Sequence, residues 1–319
     1  MDQTCVIGAD VGGTFVRIGC VAMDGELIHA AIYKSAAIST GPPKTAIDDL
    51  AAFIKQYISE LRITDYRGVA IGFPGTLDKS REILYSASNL GENATSRFDG
   101  LRIPAGLAAH FDAPVFIGKD TDLLLYSDVH QLGLRTDGMV TGIYFGTGIG
   151  ASMIYRGETV FGSDGVAGEI GHLPISETGN KCTCNGRGCC ESVASGWRLV
   201  QLRDEHFPGT PIDDIFTLHH QTVPIKRYIH DCARIVALTG NLLNSEYTVV
   251  GGGIVAMKDF PKDAFLAEIL ALLRHPYPRD TFRLLYSPAG QDAGVLGAAQ
   301  LIFHKLGERS EIYSIPVKR

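Results

Sequence analysis

The 319-residue chain has no apolar run approaching the roughly 20 residues that cross a bilayer, so no membrane-spanning helix and no membrane partner are expected. Its first residues, Met1-Asp2-Gln3-Thr4, lack a basic stretch followed by an apolar one, so no secretory leader is expected and the cytoplasm is the expected compartment. Runs of Lys or Arg are missing too, and 29 basic against 35 acidic residues leave a net charge of −6. A mildly acidic surface repels polyanions, so nucleic acid is not an expected partner. With 45% hydrophobic and 20% charged residues, the composition also excludes a disordered or fibrous chain.

What is abundant is clustered. The 37 glycines gather at several sites, and Cys182, Cys184, Cys189 and Cys190 crowd together. In a reducing compartment such crowding reads as metal binding rather than disulfides. Cys5, Cys20 and Cys232 read as small buried hydrophobes. The length exceeds what one hydrophobic core usually organises, which predicts two domains.

The chain opens with an apolar run, Cys5–Val11, a Gly12-Gly13-Thr14 turn, and a return strand from Phe15 to Ala22. A third strand, a helix carrying Leu50, Phe53, Ile54 and Tyr57, and a strand at Val69–Phe73 follow. Val115–Ile117 leads to Asp120 and a helix towards Leu134. The opening device then recurs as strand 139–145, turn Gly146-Thr147-Gly148 and strand 149–155. Residues 163–197 read as a loop-like insertion. A helix fits 225–243, a strand 248–250, helices 261–274 and 292–306, and a strand near 282–286. The order of elements is α/β throughout.

Glycines let backbone N–H groups approach a phosphate, and a hydroxyl adds a donor. Gly12, Gly13 and Thr14, with Gly146, Thr147, Gly148 and Gly150, form two such candidates, although each reads equally as a plain turn. Asp10, at the end of the first strand, suits Mg²⁺ held through water. Gly251, Gly252 and Gly253 follow a β-branched strand and either leave bare backbone for a flat adenine and ribose or simply mark a helix or strand terminus. His172, Cys182, Cys184 and Cys189 supply one imidazole and three thiolates, a closed tetrahedral Zn²⁺ shell with a structural role; chance clustering of thiols is the alternative. Turn backbone is expected to point Cys190 away from that shell. Glu169 and Glu191 flank the cluster, where carboxylates suit sugar hydroxyls or stand as plain surface charges. Asp120 is a candidate base, or an ordinary helix N-cap.

Together these residues resemble the ROK family of sugar kinases and related regulators. Asp10-x-Gly12-Gly13-Thr14 is similar to the family's first phosphate motif, Gly146-Thr147-Gly148-Ile149-Gly150 to its second, and Gly251-Gly252-Gly253 to its adenosine motif. Glu169-x-Gly171-His172, followed by Cys182-x-Cys184-x4-Cys189-x-Glu191, resembles its zinc and sugar signature. Within the family the likeness runs to D-allose kinases, through Gly72-Phe73-Pro74, Ser88-Asn89-Leu90, Gly251–Met257, Phe260-Pro261 and Leu273-Arg274-x-Pro276-x-Pro278.

The resemblance implies an actin-like ATPase fold, two ribonuclease-H-like halves with a cleft between them. It implies ATP and a hexose as ligands, and a homodimer. Asp120 would be the base, and Asn89, Glu169, His172 and Glu191 would bind sugar. The expected division is a small domain over 1–118, joined by the helix at 292–306, and a large one over 119–291 holding the zinc loop, 172–191. The family's repressors carry a DNA-reading helix ahead of the core, whereas here the phosphate strand starts within ten residues. Two departures stand out. Lys119 replaces the family's usual Asn, and is expected to pair with Asp120 and lower its pKa, or to reach sugar or phosphate. Asn185-Gly186 stands where Gly usually comes first; Asn tolerates left-handed backbone, so the zinc loop is expected to survive.

Overall fold

Small and β-branched residues from Cys5 onward build a strand, β1 (Cys5–Val11), that is buried along its length except at Asp10. It belongs to a computed structural model that describes residues 3–87, 90, 96–177, 180–288 and 290–307. Asn89, Ser88 and the polar tail after Gly307 lie outside the described residues. β1 turns at Gly12–Thr14 into antiparallel β2 (Phe15–Ala22), which pairs with antiparallel β3 (Leu27–Lys34). Helix α1 (Ala46–Glu60) follows, with Asp48 and Asp49 in its first turn and Leu50, Ile54 and Tyr57 buried along one stripe. β4 (Tyr66–Phe73) runs parallel to β1. A small antiparallel sheet, β5 (Thr76–Leu77), β6 (Ile83–Ser86) and β7 (Leu101–Arg102), precedes β8 (Val115–Lys119), which runs parallel to β4. Helix α2 (Asp120–Gln131) leaves directly from β8.

The five-stranded sheet has the order β3-β2-β1-β4-β8. Because β1, β4 and β8 are parallel, their carboxyl ends share one edge, the usual place for ligands in open α/β sheets. Asp10 pairs with Gly72, and Phe73 pairs with Lys119, so Asp10 and Asp120 emerge at that edge on either side of β4.

A second sheet repeats the plan. β9 (Met139–Phe145), β10 (Ile149–Tyr155), β11 (Glu158–Thr159), β12 (Tyr247–Gly251) and β13 (Leu284–Tyr286) lie in the order β11-β10-β9-β12-β13, again with a hairpin followed by two parallel strands. The strand–turn–strand repeat seen in the sequence thus extends to five strands. Helices α3 (Gly196–His206), α4 (Val223–Leu243) and α5 (Lys262–Leu272) join this sheet in one core, where Phe145, Ile149 and Val250 meet Leu199, Val236 and Phe265. Of the stripe expected on α4, Ile225, Ile229, Cys232, Ile235, Val236 and Thr239 are buried, while Leu243 at the helix end is only half-buried. The helix ends where Asn244 turns left-handed at φ 46°. The described residues before Glu191 in the expected insertion are largely irregular and include a 3₁₀ turn at Ile170–His172. Cys5, Cys20 and Cys232 are buried and unbridged, as small hydrophobes.

Finally α6 (Ala293–Leu306) packs on the first sheet. A β-carbon on Gly8 would lie 2.5 Å from Val295 O, and one on Gly297 would lie 1.9 Å from Leu123 O on α2. Two compact units result: the described residues of Met1–Arg135, Val160–Ala167 and Ala289–Arg319, and those of Thr136–Thr159 and Gly168–Pro288. The boundary expected at 118/119 falls at 135/136 instead, because α2 packs against α6 and stays with the first unit. Among the described residues no helix is long and apolar enough to cross a membrane.

The obstacle at Gly297 is backbone, which no rotamer change relieves. Gly297→Ala is therefore expected to lower unfolding free energy by about 1–3 kcal/mol, read by urea denaturation. An unchanged midpoint would contradict this helix contact.

Candidate active site

Asp120 is the first residue of α2, while the N-cap position falls to Lys119, which makes no side-chain cap. Asp120 Oδ1 accepts a hydrogen bond from the N–H of its neighbour Thr121 at 2.7 Å. The simple capping alternative therefore does not describe this side chain. Burial pushes the Asp120 carboxyl up to about 7; Lys119 pulls it down, and the charges of Asp10 and Asp122 push it further up. Lys119 thus acts in the expected direction but is outweighed, and the net shift is opposite to the one its sequence position suggested. Asp10 is raised by burial as well, with Arg17 opposing. A β-carbon on Gly294 would fall 2.3 Å from Asp10 Cγ, so the first turn of α6 packs directly on this carboxyl.

Sequence reasoning missed the group that anchors the Asp120 turn. Arg81 Nη2 donates to Asp122 Oδ2 at 2.8 Å, and both side chains are nearly enclosed. Arg81 Nη1 donates to Gly165 O at 2.9 Å, and the guanidinium lies 4.0 Å from the centre of the Phe161 ring. One cation therefore joins the β5–β6 turn, the Val160–Ala167 segment and the first turn of α2. Arg81 and Asp122 stand 41 residues apart and carry no motif, so the pair leaves no signal in the sequence.

In the first glycine turn, Gly12 N–H donates to Phe15 O at 2.9 Å, and Ser35 Oγ donates to Gly12 O. Gly13 and Thr14 are exposed, and their N–H groups have no hydrogen bond among the described residues. In the second turn, Gly146 N–H donates to Gly148 O at 2.9 Å. The Gly146 carbonyl accepts from Gly196 N–H at 2.9 Å and the Thr147 carbonyl from Trp197 N–H at 3.3 Å, so the start of α3 holds the turn's carbonyls. The N–H groups of Thr147 and Gly148 are left without a hydrogen bond among the described residues. Beyond β12, Gly252 has φ +90°, and a β-carbon there would lie 2.4 Å from Phe145 O. Gly253 faces open space, which leaves bare backbone at the strand's end.

His172, Cys182, Cys184 and Cys189 come together, their ligand atoms all within 4.8 Å of one another. Cys182 Sγ lies 3.5 Å from His172 Nδ1, and Cys184 Sγ lies 3.7 Å from Cys189 Sγ. A tetrahedral zinc with ordinary bond lengths has S···N edges of about 3.6 Å and S···S edges of about 3.8 Å. The residues therefore fit the metal. Cys190 stays out of the group and is fully buried in the apolar core of its unit. Asn185 takes the left-handed conformation at φ 66°, as its residue type allows.

The ring's other nitrogen, His172 Nε2, lies 3.8 Å from Glu169 Oε2, so these two sugar-site candidates stand side by side. Gly171 between them packs where a β-carbon would strike Ile149 O at 2.4 Å. Glu191 is buried, and its carboxylate is already engaged: Oε2 accepts from Ile149 N–H at 3.0 Å and Oε1 from Thr183 Oγ1 at 3.2 Å. A β-carbon on Gly148 would lie 2.2 Å from Glu191 Oε2, so the second turn has glycine where the carboxylate presses against it. A carboxylate has about four acceptor sites, which leaves capacity for a hydroxyl. Asp10, Gly12–Thr14, Lys119 and Asp120 belong to the first unit; Gly146–Gly150, Glu169, His172, Glu191, the cysteines and Gly251–Gly253 belong to the second.

The model of the ROK family matches residues 6–305. A glucokinase of Thermotoga maritima is 25% identical over 96% of this chain and 100% of its own length. A Streptomyces griseus ROK glucokinase, solved with glucose and AMPPNP, superposes with a TM-score of 0.75 at 22% identity, covering 93% of this chain and 98% of the other. A ROK family transcriptional regulator, a homologue of the E. coli MLC protein, gives a TM-score of 0.81 at 20% identity, over 96% of this chain and 79% of that one.

Metal analysis of the purified protein is expected to find one zinc per chain. Cys189→Ser is expected to lose it and to lower the melting temperature. Folded protein without metal would rule out the closed shell.

Proposed function

The chain belongs to the ROK family, and we propose that it is an ATP-dependent sugar kinase that phosphorylates the 6-hydroxyl of a hexose, D-allose above others. One observation carries the catalytic reading. A carboxyl raised to about 7 stands at the ligand-binding edge of a parallel sheet, near a second acid and a glycine turn with unpaired N–H groups. A carboxylate with that affinity can accept the proton of an attacking hydroxyl near neutral pH.

In this reading Asp120 takes the proton from the sugar hydroxyl. The N–H groups of Gly13, Thr14, Thr147 and Gly148 bind phosphate oxygens, with Gly146 and Gly150 shaping the second turn. Gly251–Gly253 present bare backbone to adenosine. Asp10 would hold Mg²⁺ through water, and the ion supplies neutralisation of phosphate charge. Glu169, the free nitrogen of His172 and the remaining acceptor sites of Glu191 bind hexose hydroxyls. Asn89, which lies outside the described residues, joins them on the family resemblance. His172, Cys182, Cys184 and Cys189 would hold a structural zinc that fixes the ring of His172. Lys119 favours the ionised form in which Asp120 can act as base. The work is mostly positioning and charge neutralisation, with the base supplying about 10²–10⁴-fold.

The allose assignment is supported by Gly251–Met257, Phe260-Pro261 and Leu273–Pro278, together with Lys119 in place of the family's usual Asn. Glucose, fructose and N-acetylmannosamine are the competing substrates, because one axial hydroxyl changes only one or two hydrogen bonds. Coupled-assay kcat/KM across these sugars and mannose is expected to peak on allose. A peak on another hexose replaces the substrate and leaves the kinase reading in place. Absence of ATP turnover with every hexose would favour a sugar-binding regulator.

Asp120→Asn is expected to keep sugar binding and lose at least about 100-fold in kcat. Full activity would remove Asp120 from the mechanism. In the parent enzyme kcat/KM should fall as pH drops below about 7, the value to which burial raises the carboxyl. The stability effect has the opposite sign. A carboxyl raised on folding binds more protons in the native state between its unfolded and folded pKa values, so its ionisation costs stability as pH rises. Asp120→Asn should therefore raise the melting temperature at pH 8 more than at pH 5.

A further inference from the structure

Helices α3 and α4 both line a cleft of about 640 Å³ in the second unit. Small-molecule sites run from roughly 300 to 1,000 Å³. Arg198, Leu202 and His206 line it from α3, at the i, i+4, i+8 spacing of one helical face. Pro224, Arg227, Asp231 and Arg234 line it from α4, at spacings of three and four. Glu177 and Asn180 add polar groups, and Ile175 and Val193 add an apolar side. The cleft shares no residue with the glycine turns, the metal-ligating group or the sugar candidates.

Three guanidiniums thus meet at one cleft of a protein whose net charge is −6. Like charges repel, so their meeting calls for anions beside them. The protein supplies part of the balance. Arg227 Nε donates to Asp231 Oδ2 at 3.2 Å, while Arg198 Nη1 donates to Gln201 Oε1 and Glu205 Oε1, each at 3.2 Å. The remaining guanidinium nitrogens of both have no hydrogen bond among the described residues. Arg234 is half-buried and makes no ion pair or hydrogen bond there at all. Burial raises the Asp231 carboxyl; Arg227 opposes through its charge and its bond, Arg234 through its charge alone. A cleft built only to balance these charges would close Arg234 onto a carboxylate.

The open donors fit one ligand chemistry. Guanidinium forks bind phosphate oxygens in pairs, and the three terminal oxygens of a phosphate monoester accept from several directions at once. A planar carboxylate accepts mainly within its own plane and meets forks from two helices less well. We propose that this cleft binds a phosphorylated small molecule of about the size of a hexose monophosphate. Arg198, Arg227 and Arg234 hold the phosphate, and Ile175, Val193 and Leu202 face the organic body. The wall is tied to the second glycine turn, because Tyr228 Oη donates to Ala194 O and Ser195 O just before α3, whose first N–H groups hold that turn. The assignment does not rest on the kinase reading; only the choice of a hexose 6-phosphate as probe does.

Titration calorimetry on the whole protein uses inorganic phosphate, a hexose 6-phosphate and the same hexose without phosphate. The hexose 6-phosphate is expected to bind once per chain, to be displaced by inorganic phosphate, and to stay bound under saturating hexose. Arg234→Met should weaken both phosphate probes about 10–100-fold, with kcat, KM for the hexose and melting temperature held. Arg198→Met should act alike and is the measured variant if Arg234→Met does not fold. Glu177→Gln removes a like charge from the cleft and should tighten binding about 2–5-fold. No binding of either phosphate probe overturns the proposal. So does displacement by hexose with both arginine variants within about twofold of the parent, which places the phosphate among the sugar candidates instead. Tighter binding of citrate than of the hexose 6-phosphate overturns the ligand class. Arginine variants that alter only the sedimentation of the protein identify the cleft as an interface between copies, and the proposal falls. The kinase reading is untouched by these outcomes, since Asp120→Asn decides it.

Discussion

The last of the described helices lies on the first strand, and much of the first unit follows from that contact. α6 approaches β1 and α2 so closely that Gly8, Gly294 and Gly297 have no room for a β-carbon. The approach brings the first turn of α6 onto the Asp10 carboxyl and ties α2, with Asp120 at its start, to the same unit. Both carboxyls pass into surroundings that disfavour their charged forms. The packing that completes the fold is also what tunes the candidate base. Enclosed acids at this edge lower stability as they ionise, and that strain is the condition for a carboxylate able to take a proton at neutral pH.

The second unit solves a different problem, the placing of polar groups on a segment with little regular structure. A His/Cys₃ group gathers its ligand atoms within 4.8 Å of one another in the loop. Glu191 links that loop to the second glycine turn by accepting from Thr183 on the cysteine loop and from Ile149 at the turn's end. Gly171 presses the 3₁₀ turn of His172 onto the same strand end. The candidate sugar and phosphate groups of this unit are therefore parts of one braced assembly. A change in the cysteine loop would reach the glycine turn through a single carboxylate.

Two arginines show how chemistry hides in an ordinary sequence. Arg81 sits in a short turn, yet its ion pair with Asp122, its bond to Gly165 and its stacking on Phe161 hold three separate segments together beside Asp120. Arg234 lies on a helix with an ordinary buried stripe, yet it makes no ion pair or hydrogen bond among the described residues. Neither carries a motif. One is recognised by the partners it gathers, the other by the partner it lacks.

The sequence by itself determined what short-range periodicity and residue chemistry encode. Alternation and β-branching located the strands of both hairpins, the apolar stripe located α4, and the Cys182-x-Cys184-x4-Cys189 spacing with His172 located four side chains whose ligand atoms gather. The glycine turns were legible because only glycine allows such close backbone approach. Tertiary structure alone decided the rest. The sign of the shift on Asp120 depends on burial outweighing Lys119, a balance of surroundings rather than of neighbours in the chain. The unit boundary depends on α2 meeting α6 across more than 160 residues of sequence, as the contact of Leu123 with Gly297 shows. Desolvation and long-range contact are properties of enclosed space, and a linear pattern carries no measure of them.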